Sequence, residues 1–249
     1  MRYEELTIEG RNPVLEAFRA GKTVDRLFIL DGCQDGPVKS ILREAKKCDT
    51  IINFVKKERL DQLSETGKHQ GVIAYTAAYD YATVEDILQI AKDKDEPPFI
   101  IVLDNIEDPH NLGAMIRTAN QAGAHGIIIP KRRAVGLTAT VAKVSAGAIN
   151  YTPVAKVTNL AVTIEELKKE GLWFVCADMD GEVMYKLDLK GPIGLVIGSE
   201  GEGVGRLVKE KCDFTASIPM YGQISSLNAS VAAGLLMYEV VRQRKFSKE

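Results

Sequence analysis

Apolar residues along this chain fall into two alternating patterns. Short runs of strand length, FIIVL (99–103), GIII (126–129), PVAKV (153–157), LWFVCAD (172–178) and IGLVI (193–197), are separated by stretches with helical spacing at about 112–121, 138–148 and 160–169. Most of the strand runs are continuous rather than alternating, which predicts a parallel sheet covered on both faces. The expectation is therefore an α/β fold with a doubly wound parallel sheet, whose ligands sit at the carboxyl ends of the strands. After Ile197 the pattern continues as a glycine-dense loop, a helix, a strand at Phe214–Pro219, a tight loop and a long closing helix.

The first 77 residues read as a separate, smaller α/β unit. Asn12-Pro13 predicts a helix start with Asn12 as cap, and Gly21 the stop. Strands are expected at Arg26–Leu30, Ile51–Val55 and 71–76, with helices at 38–47 and 57–63. His69, in the turn GKHQG, reads as a structural hydrogen-bonding group rather than a catalyst.

Between the two units, YDYATVEDILQIAKDKDEPP holds a short amphipathic helix, then a run of charges and two prolines. That composition reads as a linker or exposed edge over residues 78–98, which places the second domain at 99–249.

Composition adds exclusions. The 249 residues are 45% hydrophobic and 27% charged, which suits an ordinary globular protein of two domains. No apolar run approaches the roughly 18 residues of a membrane span, and the first residues lack a signal-peptide pattern, so a cytoplasmic protein is expected. Four cysteines lie far apart with no C-x-x-C pair, which argues against a metal site and a disulfide framework. The net charge of −2 does not announce a nucleic-acid binder. Local basic groups exist at Lys131, Arg132 and Arg133 and at Arg242, Arg244 and Lys245. From charge alone these read first as a solvated loop and as cations at a helix C-terminus, with RNA contact as the alternative.

Chemistry concentrates in three stretches. LDNIEDPHNLGAMIR ends the first strand of the second domain and crowds Asp104, Asn105, Glu107, Asp108, His110 and Asn111 at its carboxyl end, with Arg117 on the following helix. Asn111 as helix N-cap is the plain reading of that position. GSEGEGVG (198–205) has the wrong glycine spacing and the wrong place in the chain for a dinucleotide fingerprint, and no G-K-[ST] follows as in a P-loop. Glu200 inside it suits a neutral or cationic ligand better than a phosphate, since like charges repel. SIPMYGQISSLNAS brings Ser226, Leu227 and Asn228 to the start of the last helix, where Ser226 or Asn228 would serve as cap.

Together LDNIEDPHNLGAMIRTANQAGAHGIIIP, LVIGSEGEGV and IPMYGQISSLNASVAAGLLMYE resemble, in order and spacing, the three motifs of the SpoU (TrmH-type) branch of the SPOUT RNA 2′-O-ribose methyltransferases. GRNPVLEAF and KHQGVIA resemble the RNA substrate-binding domain that the RlmB-like subgroup carries ahead of its catalytic domain. The resemblance implies a trefoil knot at the carboxyl end of the sheet, S-adenosylmethionine (AdoMet) as methyl donor, no metal, and a homodimer packed through the last helix. It implies cofactor contacts at Gly198, Ile218 and Leu227, and catalytic or substrate-side roles for Asn111, Arg117, Glu200, Ser226 and Asn228. It points to a guanosine of 23S ribosomal RNA as substrate, favoured over tRNA because of the extra N-terminal domain. A tRNA methyltransferase and a non-catalytic RNA-binding assembly factor are the alternatives. A guanidinium holds its proton far too tightly near neutral pH for Arg117 to serve as a base. It reads better as a clamp on RNA phosphate that also stabilises the developing alkoxide, with His110 as the rival base.

Overall fold

The computed structural model describes residues 6–224 and 226–246. The chain divides into two compact units, one running to Asp80 and including 136–140, the other made of 81–135 and 141 onward.

The first unit contains β1 (Leu6–Glu9), α1 (Arg11–Arg19), β2 (Val24–Leu30), α2 (Gly36–Lys47), β3 (Ile51–Val55), α3 (Lys57–Leu63) and β4 (Val72–Thr76). Its sheet has the order β1-β4-β2-β3, mixed because β2 and β3 run parallel while β4 opposes both β1 and β2. Val14 and Phe18 of α1 and Val38, Ile41 and Ala45 of α2 bury against Leu27, Ile29, Val72 and Ala74. The cap of α1 is Gly10, not Asn12: at φ +92 the chain turns where only glycine is unstrained, and Pro13 falls within the first turn, where its missing N–H is harmless. His69 is buried and structural, with Nδ1 accepting from the Gly71 amide at 2.9 Å and Nε2 3.0 Å from Asp61.

The second unit begins inside the stretch read as a linker. There α4 (Val84–Asp93) is a capped helix, with Thr83 and Asp86 forming a reciprocal capping box, and it buries Ile87 and Ala91. Ile87 joins Ile100, Val102, Ile128 and Phe174 in one hydrophobic cluster, so this segment is core on its apolar face, while its polar face (Glu85, Asp86, Gln89) and the charged run after it are exposed. After it come β5 (Phe99–Leu103), α5 (Pro109–Gln121), β6 (Gly126–Pro130), α6 (Ala139–Val144), β7 (Val154–Val157), α7 (Leu160–Lys169), β8 (Trp173–Val183), β9 (Ile193–Ile197), α8 (Arg206–Lys209), β10 (Phe214–Ser217) and α9 (Ala229–Phe246). The six strands are all parallel, in the order β10-β8-β9-β5-β6-β7.

Both faces of this sheet are covered, as its apolar runs require. Leu160, Ile164 and Leu167 of α7 lie with Ile87 on one face. On the other, α5 and α9 pack on each other and on β6 and β9. The order reverses around β5: the chain steps outward through β6 and β7, then returns to place β9 on the other side of β5. β5 and β9 end flush, Leu103 opposite Ile197. A crevice at the carboxyl ends of a sheet with such a reversal is where ligands are expected.

Candidate active site

Three loops leave the carboxyl ends of β5, β9 and β10 and meet. The first is pinned to the second: Asp104, buried at the end of β5, accepts a 2.8 Å hydrogen bond through Oδ2 from the Gly205 amide, while its own amide donates to the Ile197 carbonyl at 2.8 Å. The glycine loop then closes on itself, with the Gly203 amide donating to the Ser199 carbonyl at 2.9 Å. Gly203 takes φ +66 to do so. A Cβ on Gly198 would lie 2.0–2.2 Å from main-chain atoms of Gly203 and Val204. Gly198 is therefore required by the chain's own crossing, in addition to the cofactor contact that the resemblance implies for it.

At the start of α5 the cap is Asp108, whose Oδ1 accepts from the His110 amide at 2.9 Å. Asn111 is consequently inside the first turn, and its side chain is free for longer-range contacts. It makes two. Its Nδ2 donates to Glu200 Oε1 at 3.2 Å, and its Oδ1 accepts from Asn228 Nδ2 at 2.9 Å. Asn228 Nδ2 also lies 2.5 Å from Glu200 Oε1, and the Ala229 amide donates to the same oxygen at 3.0 Å. Asn228 at the same time caps α9, its Oδ1 accepting from the Ser230 amide at 3.0 Å. Residues from three distant parts of the chain thus converge on one carboxylate.

Glu200 stands between two cavities. One, of about 270 Å³, is lined by Ile197, Gly198, Ile218, Ser226, Leu227 and Ala232 among others; the second, of about 560 Å³, is lined by Asn105, Glu107, Asp108, Asn111 and Arg133, and both share Ser199, Glu200, Glu202 and Ala229. The smaller cavity has an apolar wall from Ile197, Ile218 and Leu227, and its rim carries Asp178. A 2.6 Å ion pair with Lys209 holds the Asp178 carboxyl below its usual range and raises the lysine.

Of the eight residues marked in the sequence, Asn111, Glu200 and Asn228 form the hydrogen-bonded group, and Gly198, Ile218, Ser226 and Leu227 line the smaller cavity with Glu200. Arg117 is apart from them. It is exposed on α5, lines neither cavity and makes no hydrogen bond or ion pair among the described residues. His110 is exposed as well and lines neither. Two residues were not marked. Asp104 was counted only as part of a polar loop, though an acid at a strand's carboxyl end facing a glycine-rich loop was the signal available. Arg133 was read first as solvated, yet it lines the larger cavity.

The SpoU rRNA methylase family model matches residues 98–238, and the model for RNA 2′-O ribose methyltransferase substrate binding matches 7–82. A Bacillus subtilis protein assigned to the TrmH family of tRNA/rRNA methyltransferases, YacO, is 52% identical over 94% of this chain and 94% of its own length. The crystal structure of the SpoU methyltransferase AviRb from Streptomyces viridochromogenes, in complex with the cofactor AdoMet, superposes with a TM-score of 0.62 at 26% identity, covering 98% of this chain and 92% of that one. The A. aeolicus TrmH/SpoU tRNA modifying enzyme, at 29% identity and a TM-score of 0.55, covers 60% of this chain and 77% of its own. The chain belongs to the SpoU rRNA methylase family, the TrmH-type RNA 2′-O-ribose methyltransferases, and carries that group's substrate-binding domain at its N-terminal side.

Proposed function

We propose that this protein transfers a methyl group from AdoMet to a ribose 2′-oxygen of RNA, with a guanosine of 23S ribosomal RNA as the target, and that it works as a cytoplasmic homodimer. The observation that carries the reading is the position of Glu200, shared by an apolar cavity suited to a nucleoside and an open polar cavity suited to an acceptor.

The smaller cavity fits AdoMet in its chemistry. Ile197, Ile218 and Leu227 offer a flat apolar wall to an adenine, main-chain groups around Gly198 and Leu227 offer polar partners, and Glu200 and Glu202 offer carboxylates to a cation. When bound, AdoMet supplies a methyl group activated by a positive sulfonium. The residues of this chain supply position. Asn111 and Asn228 fix the Glu200 carboxylate at the boundary of the two cavities, and holding donor and acceptor in line supplies much of the rate of such a transfer. Arg117 is assigned to RNA phosphate and to the developing alkoxide, from its match to the family motif. It lines neither cavity in the single chain, and this assignment requires that RNA or a second copy bring it to the acceptor.

Three features support the finer assignments. Glu107 and Asp108 place carboxylates in the acceptor cavity, and guanine is the base whose Watson–Crick edge presents two adjacent donors to a carboxylate. Helix α9 exposes an apolar stripe of Val231, Leu235 and Tyr238, spaced i, i+4, i+7, which a second copy would cover. The substrate-binding domain favours rRNA over tRNA, because the tRNA modifying enzyme of A. aeolicus covers only 60% of this chain. Incubation with labelled AdoMet and separate rRNA and tRNA pools tests the reading. Label in the 2′-O-methylguanosine of 23S rRNA supports it, and label confined to tRNA replaces the substrate with tRNA. AdoMet binding without transfer to either pool leaves the assembly-factor reading.

A further inference from the structure

We propose that Arg133 is the residue that holds the RNA backbone in the acceptor cavity, its guanidinium gripping the phosphodiester next to the target ribose. The inference rests on the methyltransferase reading and adds a residue to its substrate side.

The ionisable residues lining the larger cavity are Glu107, Asp108, Glu200, Glu202 and Arg133. A phosphodiester drawn toward Asn111 and Glu200 therefore meets four acids, and like charges a few ångströms apart repel strongly in a partly desolvated crevice. Among the described residues, Arg133 is the one cation on that wall. Although carboxylates line the same space, its side chain makes no hydrogen bond or ion pair among the described residues, so its donors are uncommitted. A guanidinium presents a planar fork of donors that matches two phosphate oxygens at once.

The backbone gives an independent indication. Arg133 sits at φ +56, in the left-handed region that favours glycine. The turn around it is fixed on both sides, by the Lys131 amide donating to the Val157 carbonyl at 2.8 Å and the Val135 amide donating to the Ile106 carbonyl at 2.9 Å. An arginine thus occupies a position where glycine would fold with less strain. This is expected where the side chain is needed, and the turn aims it from the carboxyl end of β6 at the space beyond β5.

The test compares the full-length protein with Arg133→Ala, Arg133→Lys and Arg133→Gly, measuring binding of a 23S rRNA transcript across a salt series, KM and kcat for methyl transfer to it, and AdoMet affinity. Arg133→Ala keeps the backbone preference of an L residue and is expected to fold normally. It should raise KM for the transcript by roughly tenfold or more with kcat little changed, and make the slope of log K against log salt shallower by about 0.7, the loss of one single-strand phosphate contact. Arg133→Lys should restore the slope and part of the affinity. Arg133→Gly should melt at a higher temperature while binding RNA as weakly as the alanine variant. Wild-type KM and salt slope in Arg133→Ala, or a fall in kcat with KM unchanged, would overturn the assignment. The salt series reads RNA binding without turnover. A wild-type protein that methylates neither rRNA nor tRNA therefore refutes the enzyme reading and leaves the Arg133 test intact.

Discussion

Asp104 and Gly205, 101 residues apart, are joined by a 2.8 Å hydrogen bond between the Asp104 side chain and the Gly205 amide. The bond ties the first strand of the catalytic sheet to the far end of the glycine loop. In Asp104→Ala the Gly205 amide loses its partner, which costs about 1–2 kcal/mol. The loop that lines both cavities is then less firmly held. Thermal unfolding should show the stability loss, and calorimetry should show weaker AdoMet binding with RNA binding retained.

Glu200→Gln preserves an oxygen for the Asn111, Asn228 and Ala229 donors and removes the charge. The variant is expected to melt close to wild type. Single-turnover transfer should fall by roughly 10²–10³, the range for losing one electrostatic group aimed at a reacting centre. Wild-type transfer rates in this variant would remove Glu200 from the machinery.

Two glycines of one loop should behave oppositely. Gly198→Ala drives a Cβ into the main chain of Gly203 and Val204 and should unfold the loop, lowering the melting temperature and abolishing AdoMet binding together. Gly201→Ala meets nothing within 4 Å and should change stability by less than about 0.5 kcal/mol. Equal effects at the two positions would show that the loop adopts another path.

Acid stability is predicted from the first unit. Burial opposes charge on Glu9, but hydrogen bonds from the Ser64 and Thr66 hydroxyls and the Glu65 and Thr66 amides outweigh it and hold the carboxyl at about 2, against an ordinary value of 4.5. A depressed folded value means the stabilisation is fully present above pH 4.5 and is lost as pH falls toward 2. Denaturant unfolding followed across that window should show wild type losing stability faster than Glu9→Gln, with the two curves converging at the acid end.

Arg117→Ala is expected to lower transfer by roughly 10²–10³ while leaving AdoMet affinity unchanged, since the side chain lines neither cavity. Weakened AdoMet binding in a normally folded variant would mean that Arg117 acts on the donor side.

Much of the sheet was legible because its central strands are short apolar runs bounded by polar turns; Phe99–Leu103 and Ile193–Ile197 are the observed strands to within a residue. β1 was missed because Leu6–Glu9 is four residues long and its partner β4 lies far along the chain. Helix caps were misplaced by two or three residues, Gly10 for Asn12 and Asp108 for Asn111, because several residues in each stretch satisfy the same local rule and packing chooses among them. The site was legible only through motif resemblance. Nothing local to Asn111, Glu200 or Asn228 announces that the three share hydrogen bonds, since each has an ordinary explanation where it stands.

The contacts that build the site span 89, 101 and 117 residues of chain, Asn111 to Glu200, Asp104 to Gly205 and Asn111 to Asn228. No hairpin or neighbouring pair of helices can make these three contacts, so loop closure must bring the two ends of the domain together before a donor can be gripped. Competence for methyl transfer should therefore appear late and all at once during refolding, and disappear with the first event that separates β5 from β9.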